Sequence, residues 1–225
     1  MPLAPAHPAV VLPMQRLGLP LSALVVGSVA PDAPVYLPVL VDYETTHSAW
    51  GVPIDTVIGL VLLWLWFFLL RAAVVDLTPG LRCRAPAEVR LGRRAWLLAP
   101  LAVAVGAGTH VVWDSATHDW GFLVRELAFL REDYGPLPLH RWFQHSSTVV
   151  GSSVVLAYGV WRLRSQPVVA RPAAVGRSRL WPVPIPVAAA SAAILTRDAE
   201  TAVGAALVAL VVVAGAWRTV RRREP

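Results

Sequence analysis

The chain contains no lysine and a single cysteine. All 20 of its basic side chains are arginine, a bias of composition rather than of mechanism. The lone thiol, Cys83, excludes an internal disulfide and a cysteine-based zinc finger. Acidic side chains are few, 14 against 20 basic ones, for a formal charge of +6. The arginines are split among separate loops with no RNA- or DNA-binding motif, so no nucleic-acid partner is expected. A basic n-region is also missing, and Pro2, Pro5, Pro8 and Pro13 interrupt any early apolar run. No cleavable signal peptide is expected, and the chain should enter the membrane through its own helices.

Charge of either sign is almost absent from several long stretches, and this decides the class. Hydrophobic residues make up 56% of the chain, above the roughly 45–50% of soluble proteins. The run Thr56–Val75 carries one charge, Arg71. About 20 apolar residues match a hydrocarbon layer of about 30 Å as a helix. Similar spans are predicted at 95–113, 146–161 and 202–217, with a proline-rich candidate at 181–196. The segment Pro20–Val41 is interrupted by Asp32 between Pro31 and Pro34, because proline breaks an ongoing helix. The expected fold is all-α, a polytopic membrane bundle of five to six hydrophobic helices. Residues 1–163 form its membrane-embedded, site-bearing part, 164–180 a cytoplasmic Pro/Arg-rich loop, and 181–225 two C-terminal membrane helices with a basic tail.

Arginines set the orientation. Arg71, Arg82, Arg84, Arg90, Arg93 and Arg94 cluster at and after the end of the 55–75 span. Arg162, Arg164, Arg171, Arg177 and Arg179 follow 146–161, and Arg218, Arg221, Arg222 and Arg223 close the chain. The positive-inside rule puts these clusters in the cytoplasm. Residues from about 32 to 54, 114 to 145 and 197 to 201 then fall outside, and most of the acids lie in or beside them, including Asp42, Asp55, Asp119 and Glu126.

Six histidines remain, and five lie in or beside those outer segments. In H-V-V-W-D-S-A-T-H, His110, Asp114 and His118 are spaced i, i+4, i+8, one face of a helix as it leaves the bilayer. Imidazole and carboxylate are natural ligands for Zn²⁺ or a similar divalent ion, and a bound cation would explain titratable groups there. L-H-R-W-F-Q-H-S-S adds His140 and His145, T-T-H-S adds His47 after a capping Thr46 or before a capping Ser48, A-P-D-A-P adds Asp32, and A-H-P adds His7. Residues 7–15 and 20–31 are each too short to span. A re-entrant hairpin around Arg16–Pro20 would return His7 and Asp32 to one face, provided that other helices cover it. One to three divalent ions are expected, held by His7, Asp32, His47, His110, Asp114, His118, His140 and His145.

Read in order, L-P-L-S-A-L-V-V-G-S-V-A-P-D, T-H-S, G-T-H-V-V-W-D-S-A-T-H and L-P-L-H-R-W-F-Q-H-S-S resemble the bacterial DUF4184 family of membrane proteins over residues 3–160. The arrangement is also similar to the YdjM-like membrane-bound metal-dependent hydrolases. More distantly, the ligand order resembles that of zinc-dependent phospholipase C and P1-type nucleases, with Gln144 where their pattern has Glu. These resemblances imply a phosphoester hydrolase of the bacterial inner membrane with its site on the outer face. Asp32, His47, His110 and Asp114 would hold a principal ion, with Asp114 bridging to a second. His118 and His140 would hold another, and His7 would contribute to a third. Asp32 and Asp114 are the implied catalytic carboxylates, Arg125 and Arg141 the phosphate attractors, and a phospholipid or lipid-linked phosphoester the substrate. Two rivals use the same residues: a non-catalytic metal-binding or structural membrane protein, and a transporter. Ligands gathered at one end of the helices, rather than at the midplane, argue against the transporter.

Overall fold

The computed structural model describes residues 4–37, 39–86, 89–170, 184–196 and 198–221. Arg171, Arg177 and Arg179 of the expected cytoplasmic loop, Arg222 and Arg223 of the tail, and residues 181–183 of the proline-rich run lie outside them. Two compact units form, one of residues 1–34, 39–63 and 92–159, the other of 35–38, 64–91 and 160–225. Every residue expected at the metal site belongs to the first.

The long helices follow the apolar runs. We label α1 Leu21–Gly27, α2 Val52–Leu65, α3 Arg93–Thr117, α4 Leu139–Arg164, α5 Pro184–Thr196 and α6 Ala199–Arg221. From α2 the chain continues through a π-helical stretch, Trp66–Leu70, into Arg71–Leu77. Among the described residues, three helical segments are long and apolar enough to cross a membrane: Ala49–Leu77, Arg93–Glu126 and Ala199–Arg221. The expected span at 146–161 is not one of them. It lies in α4, whose 26 residues include Ser146, Ser147, Thr148, Ser152 and Ser153 among the apolar ones. The candidate at 181–196 becomes the short helix α5. The segment Pro20–Val41 divides into α1, a 3-10 turn Ala30–Asp32 and the turn Ala33–Tyr36, as Pro31 and Pro34 dictate. Among the described residues, strand is confined to a two-residue hairpin ladder, Asp133–Tyr134 with Leu137–Pro138, turned by Gly135 at φ 74°.

Within the first unit α1 packs on α3. Gly27 and Gly106 make this possible, since a Cβ on either would sit 2.2 Å from the Val103 carbonyl oxygen or 2.3 Å from that of Leu24. Gly59 brings α2 in likewise: its Cβ would meet Val103 Cγ1 at 2.5 Å. Such small-residue contacts are how helices associate where the surroundings are as apolar as the side chains. The buried stripe of α3 runs Ala99, Ala102, Val103, Gly106, Ala107, His110, Asp114, Thr117, a spacing of three and four. The face that builds the bundle therefore carries His110 and Asp114 inward.

In the second unit α5 and α6 form a helical pair. Asp198 caps α6 by accepting from the Thr201 amide at 2.7 Å. Ala72, Ala73, Ala214 and Trp217 form a core, where the Trp217 indole N–H donates to Asp76 at 2.8 Å.

Candidate metal centre

Three segments deliver four ligands. Asp32 ends the Ala30–Asp32 turn, His47 follows the short helix Tyr43–Thr46, and His110 and Asp114 share the inner face of α3. All four are buried, and one ligand atom from each lies within 4.8 Å of the others. His47 Nε2 is 3.4 Å from Asp32 Oδ1 and 3.5 Å from Asp114 Oδ2, while His110 Nε2 is 3.6 and 3.4 Å from the same atoms. The two Nε2 atoms are 3.2 Å apart. A tetrahedral ion with bonds of about 2.0–2.1 Å separates its ligands by about 3.3–3.4 Å. The measured edges straddle that figure.

The tautomers sharpen the point. His110 Nδ1 donates to the Ser28 carbonyl at 2.8 Å, and His47 Nδ1 to that of Tyr43 at 3.0 Å. Carbonyls only accept, so each ring carries a proton on Nδ1 and turns Nε2 inward. Two imidazole nitrogens and two carboxylates then face one another. A cation resolves this arrangement, and a backbone-tethered Nδ1–H is the usual partner of a metal-bound imidazole. A proton is the lesser substitute. Burial opposes the His47 cation, but the Asp114 and Asp32 carboxylates overcome it and push this imidazole up to about 9.

The local chain explains the approach of Asp32 and His47. The Thr46 hydroxyl, fully buried, donates to the Pro31 carbonyl at 2.8 Å, tying T-T-H-S to A-P-D-A-P. Asp42 caps the short helix through the Thr45 amide at 2.7 Å, and Ser48 accepts from the Gly51 amide at 3.0 Å. Ser48, not Thr46, is therefore the cap that leads into α2.

His7 joins from the N-terminal side. Its ring stacks on His110 with centroids 3.8 Å apart, and its Nε2 lies 3.5 Å from Asp114 Oδ1. Neither atom has a hydrogen-bond partner. Asp114 thus turns one oxygen to the four-ligand cage and the other to His7. The chain between His7 and Asp32 reverses at Gly18, which takes the left-handed φ of 77°, and both ends reach one centre.

Helix α3 stops at Thr117, and His118, extended at φ −120°, ψ 145°, caps it while keeping Nδ1 3.8 Å from Asp114 Oδ2. Gly121 forces the turn by passing close to the helix end, where a Cβ would lie 2.3 Å from the Ser115 carbonyl oxygen. His118 remains buried, with Nδ1 3.2 Å from the Asp114 carbonyl oxygen and Nε2 3.2 Å from the Gln144 amide nitrogen. His140 donates from Nδ1 to Leu130 O at 2.9 Å and places Nε2 2.9 Å from Asp119 Oδ1. Asp119 Oδ2 accepts from Arg141 at 2.9 Å, and Arg141 also donates to Gln144 at 2.9 Å. A second polar group, His118, Asp119, His140, Arg141 and Gln144, therefore sits beside the first. His145 joins neither: one residue past the buried Gln144, it is turned outward by about 100° and is exposed. Arg125 is also exposed.

Three contributors escaped the sequence reading. Asp119 carries the carboxylate that Gln144 lacks. Trp120 roofs the centre, stacked on His118 at 5.0 Å and edge-on to His47 at 5.7 Å. Asp55, in the first turn of α2, is fully buried with neither oxygen hydrogen-bonded, and it interacts electrostatically with His47 and His110. A carboxylate one turn into an otherwise apolar run, beside the ligand-bearing T-H-S, was the available signal for Asp55.

No curated protein and no solved structure matches the chain. A family described as "Domain of unknown function (DUF4184)" matches it over residues 1–221, extending the sequence resemblance beyond residue 160 and through α6. With its buried histidine–aspartate cage and its long apolar helices, the chain belongs to the DUF4184 family.

Proposed function

We propose that the protein is a membrane-bound, metal-dependent phosphoester hydrolase, with Asp32, His47, His110 and Asp114 holding a divalent ion of the zinc class. The observation that carries this reading is the buried cage of two inward-facing Nε2 atoms and two carboxylates. Two nitrogen and two oxygen donors suit Zn²⁺ better than Mg²⁺ or Ca²⁺. When bound, such an ion supplies an activated water and offsets the charge on a phosphoryl oxygen. Asp114 and His7 would together hold a second ion, and the unpartnered Asp114 Oδ1, 3.5 Å from His7 Nε2, supports this. His118 and His140, with Asp119 and Gln144, form the next candidate subsite. Asp32 is assigned as the acceptor of a proton at its carboxylate, and Arg141 as the residue nearest an incoming anion, once released from Asp119. The order of ligands along the chain, similar to that in zinc-dependent phospholipase C and P1-type nucleases, supports the phosphoester class by analogy.

For topology, the arginine clusters favour a cytoplasmic C-terminus, with the centre on the outer face of a bacterial inner membrane. The reversal at Gly18 supports a re-entrant N-terminal hairpin, and α4 and α5 complete five or six membrane-inserted elements. A second reading has one observation in its favour. Four protein ligands fill a tetrahedron, as in structural zinc sites, which fits a non-catalytic metal protein.

Metal analysis of the purified protein, with a phosphodiester assay on the same sample, separates the two. His110→Ala is expected to lose the ion and any activity while remaining in the membrane fraction. Wild-type metal content in this variant would end the assignment.

A further inference from the structure

A groove of 310 Å³ opens beside the centre, between the short helix Pro8–Val11, α3 and α4. Its walls are apolar, formed chiefly by Val10, Trp113, Phe143 and Val150. Three hydroxyls also line it, yet each is turned back onto its own helix: Thr109 donates to Gly106 O, Ser146 to Trp142 O and Ser147 to Gln144 O. The groove therefore offers an occupant hydrocarbon contacts and no polar partner along its length. One lining group differs. His7 is 6% exposed, and its Nε2 has no hydrogen-bond partner. It reaches the cage through its stack on His110 and its approach to Asp114. The groove thus leads to the centre at one end. Elsewhere it is open, with Val10, Trp113, Phe143 and Val150 between 37% and 60% exposed. Trp113 belongs to a segment long and apolar enough to cross a membrane, which would bring lipid tails to this opening.

We propose that this groove holds one acyl chain of a bilayer phospholipid, entering sideways from the membrane, with its phosphate at the His7 end against the metal centre. The inference rests on the hydrolase reading for its chemistry and deepens it by naming the substrate as a lipid and the path by which it arrives. Occupant and walls match in polarity, and the anionic headgroup matches the cation-binding end. A water-soluble phosphoester would leave the apolar walls uncovered.

The test uses the full-length protein in nanodiscs containing a phospholipid with a photoreactive diazirine on one acyl chain, followed by mapping of the adducts by mass spectrometry. Adducts are expected on Val10, Trp113, Phe143 or Val150. Filling the groove with Val150→Trp or Ala9→Phe should lower that labelling about tenfold, equivalent to displacing about two methylenes, with metal content and elution volume unchanged. Val150 is largely exposed, so the Trp variant is expected to fold. Adducts spread evenly over α3, α4 and α6, labelling unaffected by both variants, or cross-links only to a second copy would each overturn the proposal. Hydrolysis is read in parallel on long-chain and short-chain phosphodiesters. Groove labelling without hydrolysis keeps the lipid site and removes the enzyme. Hydrolysis of short-chain esters without groove labelling keeps the enzyme and removes the lipid site.

Discussion

Thr46 gives a sharp test of the centre because it touches no ion and yet ties two ligand segments together. Its buried hydroxyl donates to the Pro31 carbonyl at 2.8 Å, one residue from Asp32 on one side and one from His47 on the other. Thr46→Val keeps the shape and removes the donor. A buried carbonyl left without its partner costs about 1–3 kcal/mol. Loss of a group that orients a ligand weakens metal affinity by about 10–100-fold, which is about 1.4–2.8 kcal/mol, so the two routes agree. Affinity is measured by competition with a chromogenic chelator on detergent-purified protein. Thr45→Val is the control, since the exposed Thr45 hydroxyl reaches only Asp42, and a change within about 0.5 kcal/mol is expected. Equal affinity in Thr46→Val and wild type, with His110→Ala inactive in binding, would refute the idea that this tether shapes the site.

Metal affinity should depend on pH with a definite sign. The ion and a proton compete for His47 Nε2, which the neighbouring carboxylates hold protonated up to about 9. Affinity is therefore expected to rise about tenfold per pH unit between pH 7 and 9, one proton being released on binding. Chelator competition at three pH values checks this, and a flat profile would contradict it. Gly106→Ala is expected to lower thermal stability by about 1–3 kcal/mol through overpacking, because its Cβ would meet the Leu24 carbonyl oxygen at 2.3 Å. Gly108→Ala, with nothing within 4 Å, should be neutral or stabilising by about 0.5–1 kcal/mol. Equal melting temperatures for the two variants would argue against the α1–α3 contact.

The ligands were legible in the sequence because imidazole and carboxylate are conspicuous beside apolar runs. His110 and Asp114 also share a face with Ala99, Val103 and Gly106, so the periodicity that packs α3 aims them. Short motifs concealed the rest. The helix was expected to carry His118, but its end is set by Gly121 lying against Ser115, a contact between residues that helical spacing does not relate. His145 was weighed with Gln144 as a ligand, and a rotation of about 100° separates the buried side chain from the exposed one. Asp55 reads as a solvated outer acid, since sequence does not reveal which carboxylates the bundle closes over; Asp119 is an exposed acid, and what the sequence hides is its pairing with His140 and Arg141. The span expected at 146–161 falls short for another reason, because Ser146, Ser147, Thr148, Ser152 and Ser153 dilute its apolar residues.

The carbonyls of Ser28 and Tyr43 hold both imidazoles by their far nitrogens, and this fixes what the centre can admit. Rings so anchored cannot swivel aside for an ion that demands six oxygens around it. Magnesium and calcium, however abundant, would find two of the four protein ligands made of the wrong element. Discrimination among cations would then be set when the backbone folds, before any ion arrives.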